Sequence, residues 1–224
     1  MATAAPLTLA EELILVALDD STGKLYQPAD LSSGPLNVAL AGALLMELAL
    51  EGRIDTDSEK LFVVSSKPVG SAMLDEVLAE IVAHPTQEHT EWWLMQLSGR
   101  AGDYQSRLIA MLVGRGILRE HESRLLWVFK LRTYPPTTGR EEREVKSRIT
   151  ALLYNDEIPD PRDSLLVALL HATTLFSAMF AESELESLRP RIEQIIKFEQ
   201  IGRALLPTIG NLQAQIALAA RPYY

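Results

Sequence analysis

The sequence predicts a mainly α-helical fold: a single-domain helical core with buried central helices and short β-hairpins. Three observations carry this. Two long apolar runs, 36–50 and 165–180, are hydrophobic nearly all round, the mark of helices enclosed by other helices. Six further segments, at about 71–83, 90–98, 103–116, 140–154, 186–199 and 202–219, show a single apolar stripe at helical spacing. Two short apolar runs, 61–64 and 125–129, each follow a cluster of turn-forming polar residues and read as strands. With 224 residues, 47% of them hydrophobic, the chain is long enough to bury a substantial core.

Taken in order, residues 1–7 read as an N-terminal tail and 8–220 as the domain. Thr8-Leu-Ala-Glu11 is a capping box ahead of an apolar run, so a helix should begin near Thr8 and stop at the Asp19-Asp-Ser-Thr-Gly23 turn. A polar loop containing Pro28 leads into the first enclosed helix. Asp160-Pro-Arg-Asp163 supplies cap and first-turn signals for the second, which should begin near Ser164. An internal repeat at a constant offset of 64 relates Leu48, Gly52, Ile54, Leu61, Val63 and Val64 to Leu112, Gly116, Leu118, Leu125, Trp127 and Val128. Each unit reads as a helix ended by glycine, an apolar residue entering a strand, a polar turn and an apolar return strand. In the second unit this places His121 in the turn.

The second hairpin is the most informative segment. Leu125, Leu126, Trp127, Val128 and Phe129 are five consecutive apolar residues set between Arg119, Arg124, Lys130 and Arg132, and Pro135-Pro136 closes the unit. The chain as a whole is acidic, with 21 Lys+Arg against 30 Asp+Glu, which argues against general affinity for nucleic acid or membrane surfaces. Residues 100–148, however, carry 11 basic and 6 acidic side chains, about +5, which leaves about −14 for the remainder. An apolar hairpin in a locally basic segment suits a one-faced, reversible contact with an anionic membrane. Packing of the tip into the core, or into a second copy of the chain, would also satisfy it.

Other function classes find less support. There is no cysteine, hence no disulfide, thiol nucleophile or thiolate metal site. No signal peptide is visible, and neither apolar run reaches the roughly 20 residues of a membrane span, so the chain reads as cytoplasmic and peripheral on the membrane face. Glycine-rich phosphate loops, zinc-protease motifs and nucleophile elbows are absent, and Glu11-Glu12 and Asp75-Glu76 are adjacent on helices and poorly placed as acid–base pairs; no enzyme activity and no cofactor are expected. Pro85 separates His84 from His89, so no metal site is expected there. Of Trp92 and Trp93, one should be core and the other half-exposed, and His171 should be a hydrogen-bonded core residue. The helix–glycine–hairpin unit is also the outline of a winged helix, in which Arg107, Arg115, Arg119 and Arg124 would contact DNA phosphates. The acidic chain and the aliphatic tip make nucleic acid an unfavoured partner.

Four segments, Leu9-Ala-Glu-Glu-Leu-Ile-Leu-Val-Ala-Leu18, Met46-Glu-Leu-Ala-Leu-Glu-Gly-Arg53, Leu112-Val-Gly-Arg-Gly-Ile-Leu118 and Asp163-Ser-Leu-Leu-Val-Ala-Leu-Leu-His-Ala172, resemble the Golgi phosphoprotein 3 family, and the chain looks like one of its bacterial members. The resemblance implies a mainly helical domain that binds membranes peripherally. It further implies phosphatidylinositol 4-phosphate recognition by a tryptophan and three arginines in the eukaryotic branch, an inserting hairpin, and capture of glycosyltransferase tails as protein cargo. The hairpin carries over onto Leu125, Leu126, Trp127, Val128 and Phe129, with Arg107, Arg119, Arg124, Lys130 and Arg132 as candidate headgroup contacts. The headgroup residues do not carry over: Ser32 stands at the tryptophan, and Ala41, Gly102 and Gln105 at the arginines. The resemblance therefore implies a less selective preference for anionic phospholipid, with self-association through the hairpin as the alternative use.

Overall fold

The computed structural model describes residues 6–19, 22–25, 34–56, 60–125 and 129–202, and among these the side chains of all but 34–35, 123–132 and 198–202. The described residues form α1 (Leu9–Ala17), α2 (Gly34–Leu50), the hairpin β1 (Ile54–Thr56) and β2 (Leu61–Val63), α3 (Ala72–Ala83), α4 (Thr90–Ser98), α5 (Ala101–Gly114), the hairpin β3 (His121–Leu125) and β4 (Phe129–Thr133), α6 (Arg140–Tyr154), α7 (Pro161–Ala172), a 3-10 turn (Leu175–Ala178) and α8 (Glu182–Gly202). The fold is mainly helical.

Helix α1 is the hub. The predicted capping box forms: the Thr8 hydroxyl accepts from the Glu11 N–H at 3.3 Å, and the Thr8 N–H donates to the Glu11 carboxylate at 2.8 Å. All nine residues of α1 are buried, and the helix packs against α2, α5, α6 and α7. Helix α2 in turn packs against α1, α3, α4, α5, α7 and β1, as an apolar circumference requires. Around this pair lies one hydrophobic core that takes in Trp93 and Tyr104, the largest fully buried side chains. Trp92 packs on that core from a half-buried position, with its ring 4.7 Å from that of His84 and 4.9 Å from that of Trp93, so the tryptophan pair divides as predicted.

Both α2 and α5 end by the same device. Gly52 N–H donates to Ala49 and Arg53 N–H to Leu48; 64 residues later, Gly116 N–H donates to Val113 and Ile117 N–H to Leu112, all at 2.9 Å. Gly52 and Gly116 have φ of +63° and +73°, the left-handed conformation that such a helix end uses. The repeat then diverges. Leu61 lies in the return strand β2, whereas Leu125 ends the outgoing strand β3, paired with Phe129. His121 is the first residue of β3, opposite Thr133, and not a turn residue. The second hairpin is longer: Leu118 bridges Pro136, five strand pairs follow, and the link between strands falls at 126–128, outside the described residues.

Three other expectations are corrected. The apolar run 165–180 is not one helix. Helix α7 stops at Ala172, and Thr174 takes a left-handed φ of +59° before the 3-10 turn. The segment expected at 186–199 lies within α8, which starts earlier, at Glu182, carries Pro190 in its interior and runs to Gly202; the helix expected at 202–219 lies, past Gly202, outside the described residues. The early start of α8 is served by Glu184, whose carboxylate accepts from the Ala181 N–H at 3.0 Å. His171 is on the exposed side of α7, in a cavity of about 410 Å³ with Arg189 and Glu186, and not a hydrogen-bonded core residue; burial first and Arg189 second push its imidazole below the ordinary range.

The turn after α1 couples the core to the second hairpin. Asp19 accepts from the Thr22 backbone and hydroxyl at 2.7 and 2.8 Å, Leu18 bridges Leu25, and the Gly23 carbonyl accepts from the Tyr134 N–H at 2.7 Å. A Cβ on Gly23 would lie 2.5 Å from the Pro135 nitrogen, whereas a Cβ on Gly52 would meet nothing within 4 Å, although both residues have φ of +63°. Gly52→Ala should therefore cost only the left-handed strain, roughly 1–2 kcal/mol. Gly23→Ala should cost about 3 kcal/mol, because the overpacking penalty adds to that strain. Chemical denaturation of the two variants side by side measures the difference, and equal losses would show that the approach to Pro135 relaxes freely.

Candidate functional site

Strands β3 and β4 form an antiparallel two-stranded sheet in the register His121↔Thr133, Glu122↔Arg132, Ser123↔Leu131, Arg124↔Lys130 and Leu125↔Phe129. Among the described residues they make extensive contacts only with each other. Its root is tied down: Arg119 N–H donates to the Pro135 carbonyl at 3.0 Å, Thr137 N–H to Ile117 at 2.9 Å and Tyr134 N–H to Gly23. Of the predicted apolar tip, Leu125 and Phe129 are the last strand pair, and Leu126, Trp127 and Val128 lie outside the described residues.

The candidate cations do not share one environment. Arg124 and Lys130 face each other across the strands, and Arg132 lies opposite Glu122. Arg119 is exposed at the hairpin root and makes no ion pair among the described residues. Arg107 is turned toward α3, where Glu76 takes it at 2.6 and 3.2 Å, with Asp103 at 3.3 Å. Those bonds hold Glu76 below the usual carboxylate range and Arg107 above its own. Its charge is answered locally and is not directed at the hairpin.

The positions equated with the family's headgroup residues also separate. Ser32 lies outside the described residues, Ala41 is fully buried in α2 and offers no donor, and Gly102 is exposed at the start of α5. Gln105, one turn further, lines a cavity of about 580 Å³ at the hairpin root together with Lys24, Ser106, Ile109, Glu120 and Tyr134. Sequence reasoning missed Lys24 and Tyr134, because the contact that unites them, Gly23 to Tyr134, spans more than a hundred residues.

Beneath the surface lies a charge network that sequence patterning did not foresee. Glu11, Glu12 and Glu47 are 1%, 4% and 6% exposed. Arg115 donates to Glu11 at 2.9 Å; Arg148 bridges Glu12 at 2.7 Å and Asp163 at 2.6 Å; Arg162 grips Glu47 at 2.7 and 3.0 Å and also donates to the Leu7 carbonyl. Glu47 spends its second oxygen on the Leu9 N–H at 2.7 Å. Burial pushes the Glu12 carboxyl up by more than Arg148 and Arg162 pull it down. For Arg148 and Arg162 the balance falls the other way: burial opposes their charge, but their carboxylate partners outweigh it and hold both above their usual value. The arginines stay charged and Glu12 bears the desolvation cost.

The sequence model of the Golgi phosphoprotein 3 (GPP34) family matches residues 9–212. The chain belongs to the Golgi phosphoprotein 3 family. Among its relatives is the vacuolar protein sorting-associated protein 74 of Schizosaccharomyces pombe, 27% identical over 206 residues, which cover 81% of this chain and 60% of that protein. The protein of the same name from Eremothecium gossypii is 30% identical over 168 residues, 66% of this chain and 49% of that protein. The chain thus spans half to three-fifths of the length of these relatives. Both are fungal, and neither supports the bacterial placement suggested by the resemblance. The four segments that resemble the family supply Glu11 and Glu12, Glu47, Arg115 and Asp163, so in space they meet at the buried charge network.

Removing one member should be costly. Arg162→Met strands Glu47 and should lower stability by about 3–5 kcal/mol, whereas Arg100→Met, which breaks an exposed pair with Glu80, should cost less than about 1 kcal/mol. Urea melts of both variants check the ranking. Glu12 also predicts a pH dependence. Its native pKa is raised above the ordinary 4.5, so its contribution to stability is fully present below that value and is lost as pH rises through the native pKa. The stability of the wild type relative to Glu12→Gln should therefore fall as pH rises above 4.5, and a constant or rising difference would overturn the assignment.

Proposed function

We propose that this chain is a noncatalytic peripheral membrane protein that binds anionic phospholipid through the β3–β4 hairpin. The carrying observation is that, among the described residues, β3 and β4 make their extensive contacts only with each other, while the tip sequence is Leu125-Leu-Trp-Val-Phe129. A lone two-stranded hairpin is marginal in water, and an apolar tip sequence on such a hairpin calls for a partner surface. Membership of the family supports a membrane as that surface. No helix among the described residues is long and apolar enough to cross a bilayer, which fits shallow insertion from one side.

Insertion of Leu126, Trp127 and Phe129 would supply most of the affinity, since full burial of such a side chain is worth roughly 1.5–3 kcal/mol. Basic residues near an anionic surface add about 1 kcal/mol each, and Arg119, Arg124, Lys130 and Arg132 are the ones tied to the hairpin. Lys24 and Gln105 at the root cavity would meet headgroup oxygens. With the family's tryptophan and three arginines replaced, the preference is for anionic lipid in general and not for phosphatidylinositol 4-phosphate. The relatives are named for vacuolar protein sorting, and a cargo-sorting role on the cytoplasmic membrane face is the corresponding reading for this chain.

The test is co-sedimentation with vesicles of neutral lipid, neutral plus anionic lipid, and neutral lipid plus phosphatidylinositol 4-phosphate. Binding should appear on both charged mixtures, weaken at high salt, and fall at least tenfold, about 1.4 kcal/mol, in Trp127→Ser/Phe129→Ser while the helical circular-dichroism signal stays unchanged. Undiminished binding of the double variant removes the hairpin from the mechanism.

A further inference from the structure

A cleft of about 1080 Å³ lies between the start of α1, α6 and the start of α7, over the buried charge network and apart from the hairpin. Its lining includes Glu12, Arg140, Glu141, Glu144, Arg148 and Arg162. Its polar groups are not evenly matched. The guanidiniums of Arg115, Arg148 and Arg162 are each held by carboxylates of the network, and Asp160 spends a side-chain oxygen on the Arg162 N–H at the α7 cap. Glu141 and Glu144, on the first turns of α6, have no ion-pair partner among the described residues, and Arg140 is the one lining guanidinium outside the network. Counting Glu11 and Glu47 directly behind the lining, seven carboxylates face four guanidiniums.

One buried acceptor singles out the ligand's chemistry. Glu12 is 4% exposed; its Oε1 takes Arg148, but its Oε2 is sequestered from solvent and accepts no hydrogen bond. Arg162 Nε stands 3.9 Å from it, beyond hydrogen-bond reach. A buried carboxylate oxygen left without a donor is a defect in an empty site and an anchor in an occupied one. An anionic ligand would meet a single uncommitted guanidinium, that of Arg140, against a surplus of negative charge. A metal ion finds no set of three or more suitable ligands among the described residues.

We propose that this cleft binds an organic cation, a guanidinium or alkylammonium group on a short stem, which donates to Glu12 Oε2 while Glu141 and Glu144 at the rim supply the complementary charge. The group could be borne by a free amine such as agmatine or by a basic side chain of a partner protein. The reading is independent of the hairpin.

The experiment is a nuclear magnetic resonance titration of the full chain with agmatine, with N-acetyl-arginine amide and with uncharged N-acetyl-norleucine amide. Both cations should give saturable shifts confined to residues 7–12, 140–148 and 160–163, and the neutral probe none. Glu141→Gln/Glu144→Gln, which changes only rim residues, should weaken both cations at least threefold while leaving the fold and vesicle binding as in the wild type. Glu12→Gln, with its fold verified from the same spectra, should abolish saturation. Tighter binding of the arginine amide than of agmatine points to a protein segment, and the reverse to a free amine; either supports the site. Absence of saturable shifts, shifts centred elsewhere, or equal affinity in the rim variant overturns it.

Discussion

Helix α1 has nine residues, every one of them buried, and two of them are glutamates. No amount of apolar packing makes that tolerable by itself, because an unpaired buried carboxylate costs far more than a helix of this length can return. The answer comes from two other helices, α6 and α7, and the segment following α5: Arg115, Arg148 and Arg162 arrive from places far apart in sequence and each closes on a carboxylate at 2.6–2.9 Å. Such a network adds little net stability over an apolar core of the same shape, but it penalises every arrangement in which one partner is displaced. It thereby fixes how α1, α2, α6 and α7 are mutually placed, a constraint that interchangeable leucines and valines could not impose alone. That the segments carrying the family resemblance meet here follows, since each supplies a charge that the others require.

The position of the hairpin depends on that arrangement. Helix α1 exits through the Asp19–Leu25 turn, and the backbone of that turn holds Tyr134 and lies against Pro135. A two-stranded sheet has too little surface to hold itself in place. Its root is instead clamped by backbone bonds from Gly23, Ile117 and Arg119, groups whose own positions follow from α1 and the end of α5. Whatever the tip meets, its base is held to the core by these three backbone hydrogen bonds.

What could be read from the sequence was what depends on neighbours within a turn or two. The capping box at Thr8, the glycine endings at Gly52 and Gly116, the stripes that became α3, α4 and α6, and the division of Trp92 from Trp93 are all local, and all were legible. The second copy of the repeat was legible only as far as Leu118. Hairpin length depends on cross-strand pairing, and five pairs moved Leu125 and His121 away from their counterparts in the first copy. Helix α8 begins ahead of its apolar stripe, at Glu182, where the Glu184 carboxylate takes the Ala181 N–H, and it packs against α6 and α7, with Arg191 donating to Leu152 and Glu157. The adjacent Glu11 and Glu12 were rightly dismissed as an acid–base pair. Their true use was invisible because their partners lie 104 and 136 residues away.

The same network changes the meaning of the charge asymmetry. As a string of letters, residues 100–148 carry a surplus of five positive charges. In space, Arg100 is taken by Glu80, Arg107 by Glu76 and Asp103, Arg115 by Glu11, Lys146 by Glu142, and Arg148 by Glu12 and Asp163. Most of these carboxylates come from outside the segment, so much of the apparent basic field is consumed internally and never reaches a facing surface. What remains for an anionic membrane is a handful of cations on or beside the hairpin. Electrostatics of that size can orient a protein and hasten its approach, but screening reduces it within a Debye length of about 8 Å at physiological salt. On the membrane reading an apolar tip, more than charge, would hold the protein in place, and three cations of the segment, Arg115, Lys146 and Arg148, serve instead in the buried charge pairs of the core.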